Sequence, residues 1–126
     1  MYINSMQVEQ GIFNAVIVGE FELRLAQQYF IELLDEAVRM NAPKVLIDGR
    51  RTTGNPTAFE RFLYGTFAAA ATLEVLHKHN VKLKFAYVIH EPLRDPERLG
   101  ENVAVNRGMN VKTFEDRNKA VEWLNG

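Results

Sequence analysis

Cysteine is absent from this chain of 126 residues. Disulfides, thiolate zinc sites, iron–sulfur clusters and thiol nucleophiles are excluded with it. Serine is nearly absent: Ser5 is the only one, it falls in the first strand pattern, and no Gly-x-Ser-x-Gly elbow occurs. A serine hydrolase therefore has no support. No apolar run reaches the roughly eighteen residues that a membrane span needs. The first seven residues carry neither the basic nor the apolar segment of a signal peptide, and the expected compartment is the cytoplasm. Neither sign of charge prevails. Fifteen Lys and Arg stand against sixteen Asp and Glu, a formal net charge of −1, which argues against a general nucleic-acid binder. The four prolines and eight glycines sit singly, as punctuation, and mark no linker. What is present is an ordinary globular composition, 47% hydrophobic and 25% charged. The length suits one domain, 1–126, with a core of its own.

Residues 2–8 read as a strand, Glu9-Gln10-Gly11 as a three-residue turn, and residues 12–18 as a second strand antiparallel to the first. Leu23, Ala26, Phe30, Leu33, Leu34, Ala37 and Val38 recur at three- and four-residue spacings. They predict a helix over about 22–40, closed by Asn41 and Pro43. Lys44-Val45-Leu46-Ile47-Asp48 is short and apolar and reads as a buried strand. Residues 49–56 are rich in turn formers and read as a loop, with Thr53 or Asn55 capping the next helix and Pro56 in its first turn. That helix runs to His79, with Phe59, Phe62, Leu63, Ala69, Ala70, Leu73 and Leu76 expected inside. Leu83, Phe85, Tyr87 and Ile89 alternate with Lys82, Lys84, Ala86 and Val88, a strand with one wetter face. A helix over 97–107, a strand over 111–114 and a final helix capped by Asp116 complete the chain. The order ββαβαβαβα predicts a single α/β domain. Its sheet is five-stranded and mostly parallel, with an antiparallel N-terminal hairpin. Right-handed crossovers put the helices mainly on one face. Lys82, Lys84 and Lys112 mark the other face as open, or covered only at its edges.

Three segments resemble the SpoIIAA-like family, which is related in fold to STAS domains and more loosely to the Sec14-type lipid-binding fold. They are Lys44-Val45-Leu46-Ile47-Asp48-Gly49-Arg50, Phe85-Ala86-Tyr87-Val88, and the C-terminal block Asn106-Arg107-Gly108 with Val111, Phe114, Asp116, Ala120, Trp123 and Leu124. The resemblance implies a SpoIIAA-like fold and a regulatory or binding role. In regulatory STAS proteins a phosphorylated Ser follows the central strand in an Asp-Ser-Ser-Gly pattern. Here the stretch reads Asp48-Gly49-Arg50-Arg51-Thr52-Thr53-Gly54, with no Ser and with the hydroxyls of Thr52 and Thr53 several residues later, a departure from the pattern that carries the phospho-switch.

Two features are candidates for function. Arg50, Arg51, Thr52, Thr53 and Asn55 leave the carboxyl end of a central strand and approach a helix start. Ligands of open α/β sheets bind at that end, and a helix start with two Arg beside it suits a small anion. The alternative is a connector whose Arg pair with acidic neighbours. The second feature is the apolar excess of the helix over 56–79, where Phe59, Phe62, Tyr64 and Phe67 exceed what a one-sided stripe requires. A homodimer through the Tyr64–Phe67 face is the expected assembly; core packing, a protein partner and an apolar or lipid-like ligand are the alternatives. Asp48 reads as a residue fixing its turn or pairing with an Arg. His77 and His79 point to different sides of a helix, and His90 stands apart, so no metal site is read. Glu91, Asp95, Glu97 and Glu101 suit a helix start by dipole complementarity. No catalytic constellation and no cofactor motif is recognised. The expected function is a non-enzymatic binding or regulatory module acting through protein contacts, with an anion as a further ligand. A carrier of a small apolar molecule is the alternative, and an enclosed cavity beneath the long helix is what would mark it.

Overall fold

The turn Gln10-Gly11 fixes where the chain first folds back. Both residues take left-handed backbone conformations, φ 53° and 79°, the combination that a two-residue hairpin turn needs to match strand twist. Gly11 meets that demand without a β-carbon. The connection is therefore two residues long rather than three, and Glu9 pairs with Ile12. In the computed structural model, which describes residues 1–126, strands β1 (Tyr2–Glu9) and β2 (Ile12–Glu20) flank this turn. They are followed by α1 (Leu23–Arg39), β3 (Lys44–Thr53), α2 (Ala58–His79), β4 (Lys84–Val88), α3 (Leu99–Asn106), β5 (Val111–Phe114) and α4 (Arg117–Asn125). The sheet order is β1-β2-β3-β4-β5, antiparallel at β1–β2 and parallel elsewhere. The predicted fold class is the observed one.

The strands' period of two divides the core into layers. Phe13, Ala15, Ile17, Val45, Ile47, Phe85 and Val111 face one side and pack against Phe30, Leu33, Leu34 and Ala37 of α1 and Ala68 and Ala69 of α2. Three consecutive right-handed crossovers place α1, α2 and α3 on this side. Lys82 and Lys84 are more exposed than Leu83 and Phe85, as the alternation predicts. The other face is less open than expected. Ile12, Leu46, Ala86 and Val88 are buried there against Ala120 and Leu124 of α4, which crosses the sheet's middle and not merely an edge. Of the lysines that mark this face as wet, Lys84 holds that helix instead, and Lys44 joins it. Lys84 donates to the Trp123 carbonyl and lies 4.4 Å from the centre of the Trp123 ring, and Lys44 donates to Asn125 at 2.9 Å. Cations at a helix C-terminus complement its dipole.

Two further expectations change. The predicted loop over 49–56 is mostly strand. β3 runs on to Thr53 because β2 runs on to Glu20, pairing Val18, Gly19 and Glu20 with Arg51, Thr52 and Thr53 after a register shift. The cap of α2 is Thr57, not Thr53 or Asn55. Its hydroxyl accepts the Glu60 N–H while the Glu60 carboxylate accepts the Thr57 N–H, a reciprocal capping box. Pro56 precedes this cap and is not in the first turn. The buried stripe of α2 is Gly65, Ala68, Ala69 and Thr72. Phe59, Phe62 and Leu73, expected inside, are exposed at 68%, 40% and 40%, and Ala70 is exposed with them. Small residues line the inner face because α2 lies close to its neighbours, leaving the large side chains outside.

Candidate functional site: a cavity at the carboxyl end of the sheet

The small residues that draw α2 toward the sheet do not fill the space beneath its first half. A partly open cavity of about 160 Å³ remains between the carboxyl ends of β2–β5, the starts of α1 and α2, and the segment 89–98. Its walls are mainly apolar: Ile17, Phe30, Leu33, Ile47, Ala68, Ile89, Leu93 and Met109 among them. This is close to the ~150 Å³ of an apolar cavity that accepts a benzene ring.

Phe30, Tyr64 and Tyr87 line it in one chain of ring contacts, with Phe85 packed behind Phe30. Phe85 and Phe30 lie 5.7 Å apart at their centroids, Phe30 and Tyr64 meet edge-on at 6.3 Å, and Tyr64 and Tyr87 meet edge-on at 6.3 Å. Edge-to-face contacts of this kind are the favoured aromatic geometry. Tyr64 comes from α2. Tyr87 comes from β4, in a row with Ile47 of β3 and Thr113 of β5. The two tyrosine hydroxyls are 2.8 Å apart. Burial pushes the Tyr64 hydroxyl up to about 12, against a smaller lowering by the hydrogen bond from Tyr87. Burial also pushes the Tyr87 hydroxyl well above its ordinary range, helped by the neighbouring Tyr64. Both are neutral donors at any ordinary pH.

The remaining polar groups of the wall are matched with one another. The Thr52 hydroxyl donates to the Ile17 carbonyl at 2.8 Å, and the Tyr29 hydroxyl to the Met1 carbonyl at 2.8 Å. Glu101 accepts both the N–H and the hydroxyl of Thr113, at 2.7 and 2.5 Å, and lies 3.7 Å from Arg98. Arg94 donates to the Thr113 hydroxyl at 3.0 Å. Arg61 ties α2 to the segment above it, donating to the carbonyls of Pro56, Leu93 and Pro92 at 3.1, 2.7 and 2.8 Å. With that segment held, the cavity roof is fixed.

The sequence-predicted anion residues do not form one cradle. Arg50 lies against Asp48, with guanidinium–carboxylate distances of 3.0 and 2.7 Å. Asp48 also accepts the Arg50 N–H, so it both fixes its turn and pairs with an Arg, as read from the sequence. Burial alone would raise the Asp48 carboxyl, but the hydrogen bonds from Arg50 and the charge of Arg117 outweigh it and hold the group below its usual value. Arg51 and Thr53 are exposed on the extended β3, Thr52 is buried, and Asn55 accepts from Arg61 at 3.3 Å. Asn55 lines a second, polar hollow together with Glu91, Asp95 and Glu97, a surrounding that does not favour an anion. The helix start expected beside these residues is already served by Thr57 and Glu60.

The apolar candidates separate as well. Phe59 and Phe62 face outward, Phe67 is half-buried, and Tyr64 turns inward to Tyr87. Tyr64 thus belongs to the cavity and not to an outer Tyr64–Phe67 face. Tyr87 is the residue that sequence reasoning passed over. Its signal was an inward position on a strand, where a phenol needs a hydroxyl partner, but that partner lies 23 residues away in sequence. No group of His, Asp and Glu is arranged to hold a metal ion, and no helix is long and apolar enough to cross a membrane. A scan against protein-family models finds no match, and a search of curated proteins finds none either.

Proposed function

We propose that this chain is a non-enzymatic binding protein that holds a small, largely apolar ligand in the cavity beneath α2. The cavity is the observation that carries this reading, because native interiors are close-packed and rarely keep a ring-sized apolar space without use. Its position supports the reading too, since ligands of open α/β sheets bind beyond the carboxyl ends of the strands. The order ββαβαβαβα supports a SpoIIAA-like architecture, and the looser relation of that family to the Sec14-type lipid-binding fold is in line with the same role. Titration with benzene, followed through amide shifts, tests the proposal. Shifts concentrated at Tyr64, Ala68, Tyr87 and Thr113, and abolished by Ala68→Leu, are expected. Scattered shifts insensitive to that substitution would remove the ligand role.

A second reading, self-association, has its own observation. Phe59, Phe62, Ala70 and Leu73 form an exposed apolar stripe along α2, at spacings that suit a helix–helix seam. A homodimer through this stripe would cover it and leave the cavity free.

A further inference from the structure

Two phenolic hydroxyls that bond only to each other leave a proton over. Each hydroxyl is one donor and a two-fold acceptor. In the Tyr64–Tyr87 pair one O–H is spent on the other oxygen, and the second O–H has no acceptor in the protein. Both residues line the cavity. Every other hydroxyl on its wall donates to a carbonyl or a carboxylate. A hydroxyl hydrogen turns freely about its C–O bond, so the spare donor can aim at whatever oxygen enters.

We propose that the Tyr64–Tyr87 pair is the recognition element of the cavity, selecting a neutral, ring-sized molecule that carries one accepting oxygen, such as an aryl ketone or aldehyde. The proposal rests on the cavity being a ligand site and adds what the ligand must carry. Neutrality follows from the surroundings. The charged groups of the wall already have partners in the protein: Arg98 lies 3.7 Å from Glu101, Arg94 donates to Thr113, Arg61 donates to backbone carbonyls, and Asp95 accepts the Leu99 N–H. A carboxylate would therefore lose its hydration in an apolar space unless it displaced one of these contacts. The pair is suited to donating because burial keeps both phenols protonated. The first hydroxyl also polarises the second, which strengthens its donation.

The test compares acetophenone with isopropenylbenzene, in which a CH₂ group replaces the carbonyl oxygen at nearly the same shape. The wild-type protein should bind acetophenone about tenfold more tightly, the yield of one net hydrogen bond. The carbonyl stretching band of bound acetophenone should move to lower frequency. In the double variant Tyr64→Phe/Tyr87→Phe the preference and the band shift should both vanish, while isopropenylbenzene binds as before. Both hydroxyls are removed together because that leaves no buried orphan, and paired removal is nearly neutral for stability. Should the double variant not fold, the wild-type comparison and the band position decide alone. Equal binding of the two probes to the wild type, with an unshifted carbonyl band, overturns the recognition role and leaves the ligand site standing. Binding of neither probe overturns both.

Discussion

Gly65 of α2 and Gly100 of α3 touch backbone to backbone. A β-carbon added to Gly65 would stand 2.6 Å from the Gly100 carbonyl oxygen, and one added to Gly100 would stand 3.2 Å from the Arg61 carbonyl oxygen. The obstacle to Gly65 is main chain, so no rotamer change relieves it, and the helices would have to separate. Gly65→Ala should lose about 2 kcal/mol or more in denaturant unfolding, the upper part of the range for overpacking. Because Gly100, Glu101 and Ala104 of α3 belong to the cavity wall, the same variant should also weaken binding of any cavity ligand. An unchanged midpoint would mean that the two helices have room to give.

The contact between these glycines shows why part of the molecule was legible and part was not. Periodicity located every strand and helix, because each depends on residues near in sequence: the spacing of Phe30, Leu33 and Ala37, or the alternation from Lys82 to Ile89. The expectation drawn from the strand order points to the carboxyl end of the sheet, where the cavity lies. What periodicity missed depends on pairing at a distance. β3 continues past Asp48 only because β2 supplies partners up to Glu20. The inner face of α2 is set by how closely α3 approaches, which favours Gly65 and Ala68 over Phe59 and Phe62. Tyr64 stands out in the sequence for its apolar bulk, yet its inward position is tied to Tyr87, which one helix pattern cannot reveal.

The tyrosine pair gives the protein a pH dependence at the alkaline end. The unfolded chain ionises its phenols near the ordinary value of about 10, whereas the folded chain keeps the Tyr64 proton to about 12 and the Tyr87 proton well beyond its usual range. Between those values the unfolded state binds fewer protons, so stability falls as pH rises. The contribution is fully present below about pH 10 and lost through about pH 12, at on the order of 1 kcal/mol per pH unit for each phenol. Ultraviolet titration of the four tyrosines should show two ionising late. Tyr64→Phe/Tyr87→Phe should remove that late phase and flatten the alkaline loss of stability.

Thr72 is fully buried in α2, and its hydroxyl has no hydrogen-bond partner. A buried hydroxyl without a partner costs about 1–3 kcal/mol. Thr72→Val keeps the shape and removes the polar atom, and the two residues have similar helix propensity. The substitution should stabilise the protein by about 1 kcal/mol, read as a higher denaturation midpoint at unchanged slope. A destabilised variant would show that the hydroxyl is satisfied in solution.

The three candidate caps of α2, Thr53, Asn55 and Thr57, are separable by substitution. Thr57 accepts the Glu60 N–H at 3.1 Å and completes the capping box, so Thr57→Ala should cost about 1 kcal/mol. Thr53 is exposed on β3 and Asn55 only accepts from Arg61 at the surface, so alanine at either should cost less. Chemical denaturation of the three variants side by side gives the order. A larger loss at Asn55 than at Thr57 would move the helix start back to where the sequence alone suggested it.

The outer stripe of α2 leads to a statement about assembly. Phe59 is 68% exposed and Phe62 and Leu73 40% each. Contiguous exposed apolar groups of this size mark contact surfaces more often than idle ones. Sedimentation of the purified protein over a range of concentrations should show a reversible homodimer, and Phe62→Glu should shift it to monomer by burying a charge in the seam. Phe67 is half-buried, so Phe67→Glu would strain the fold as well as the contact and is the poorer probe. Tyr64→Phe should leave the dimer intact, because its ring faces Tyr87 and not the stripe. A wild-type protein that stays monomeric at every concentration would assign the stripe to a different partner. A dimer unaffected by Phe62→Glu would place the seam elsewhere, with the open edge strand β1, where Tyr2, Met6 and Val8 are exposed, next to be tested.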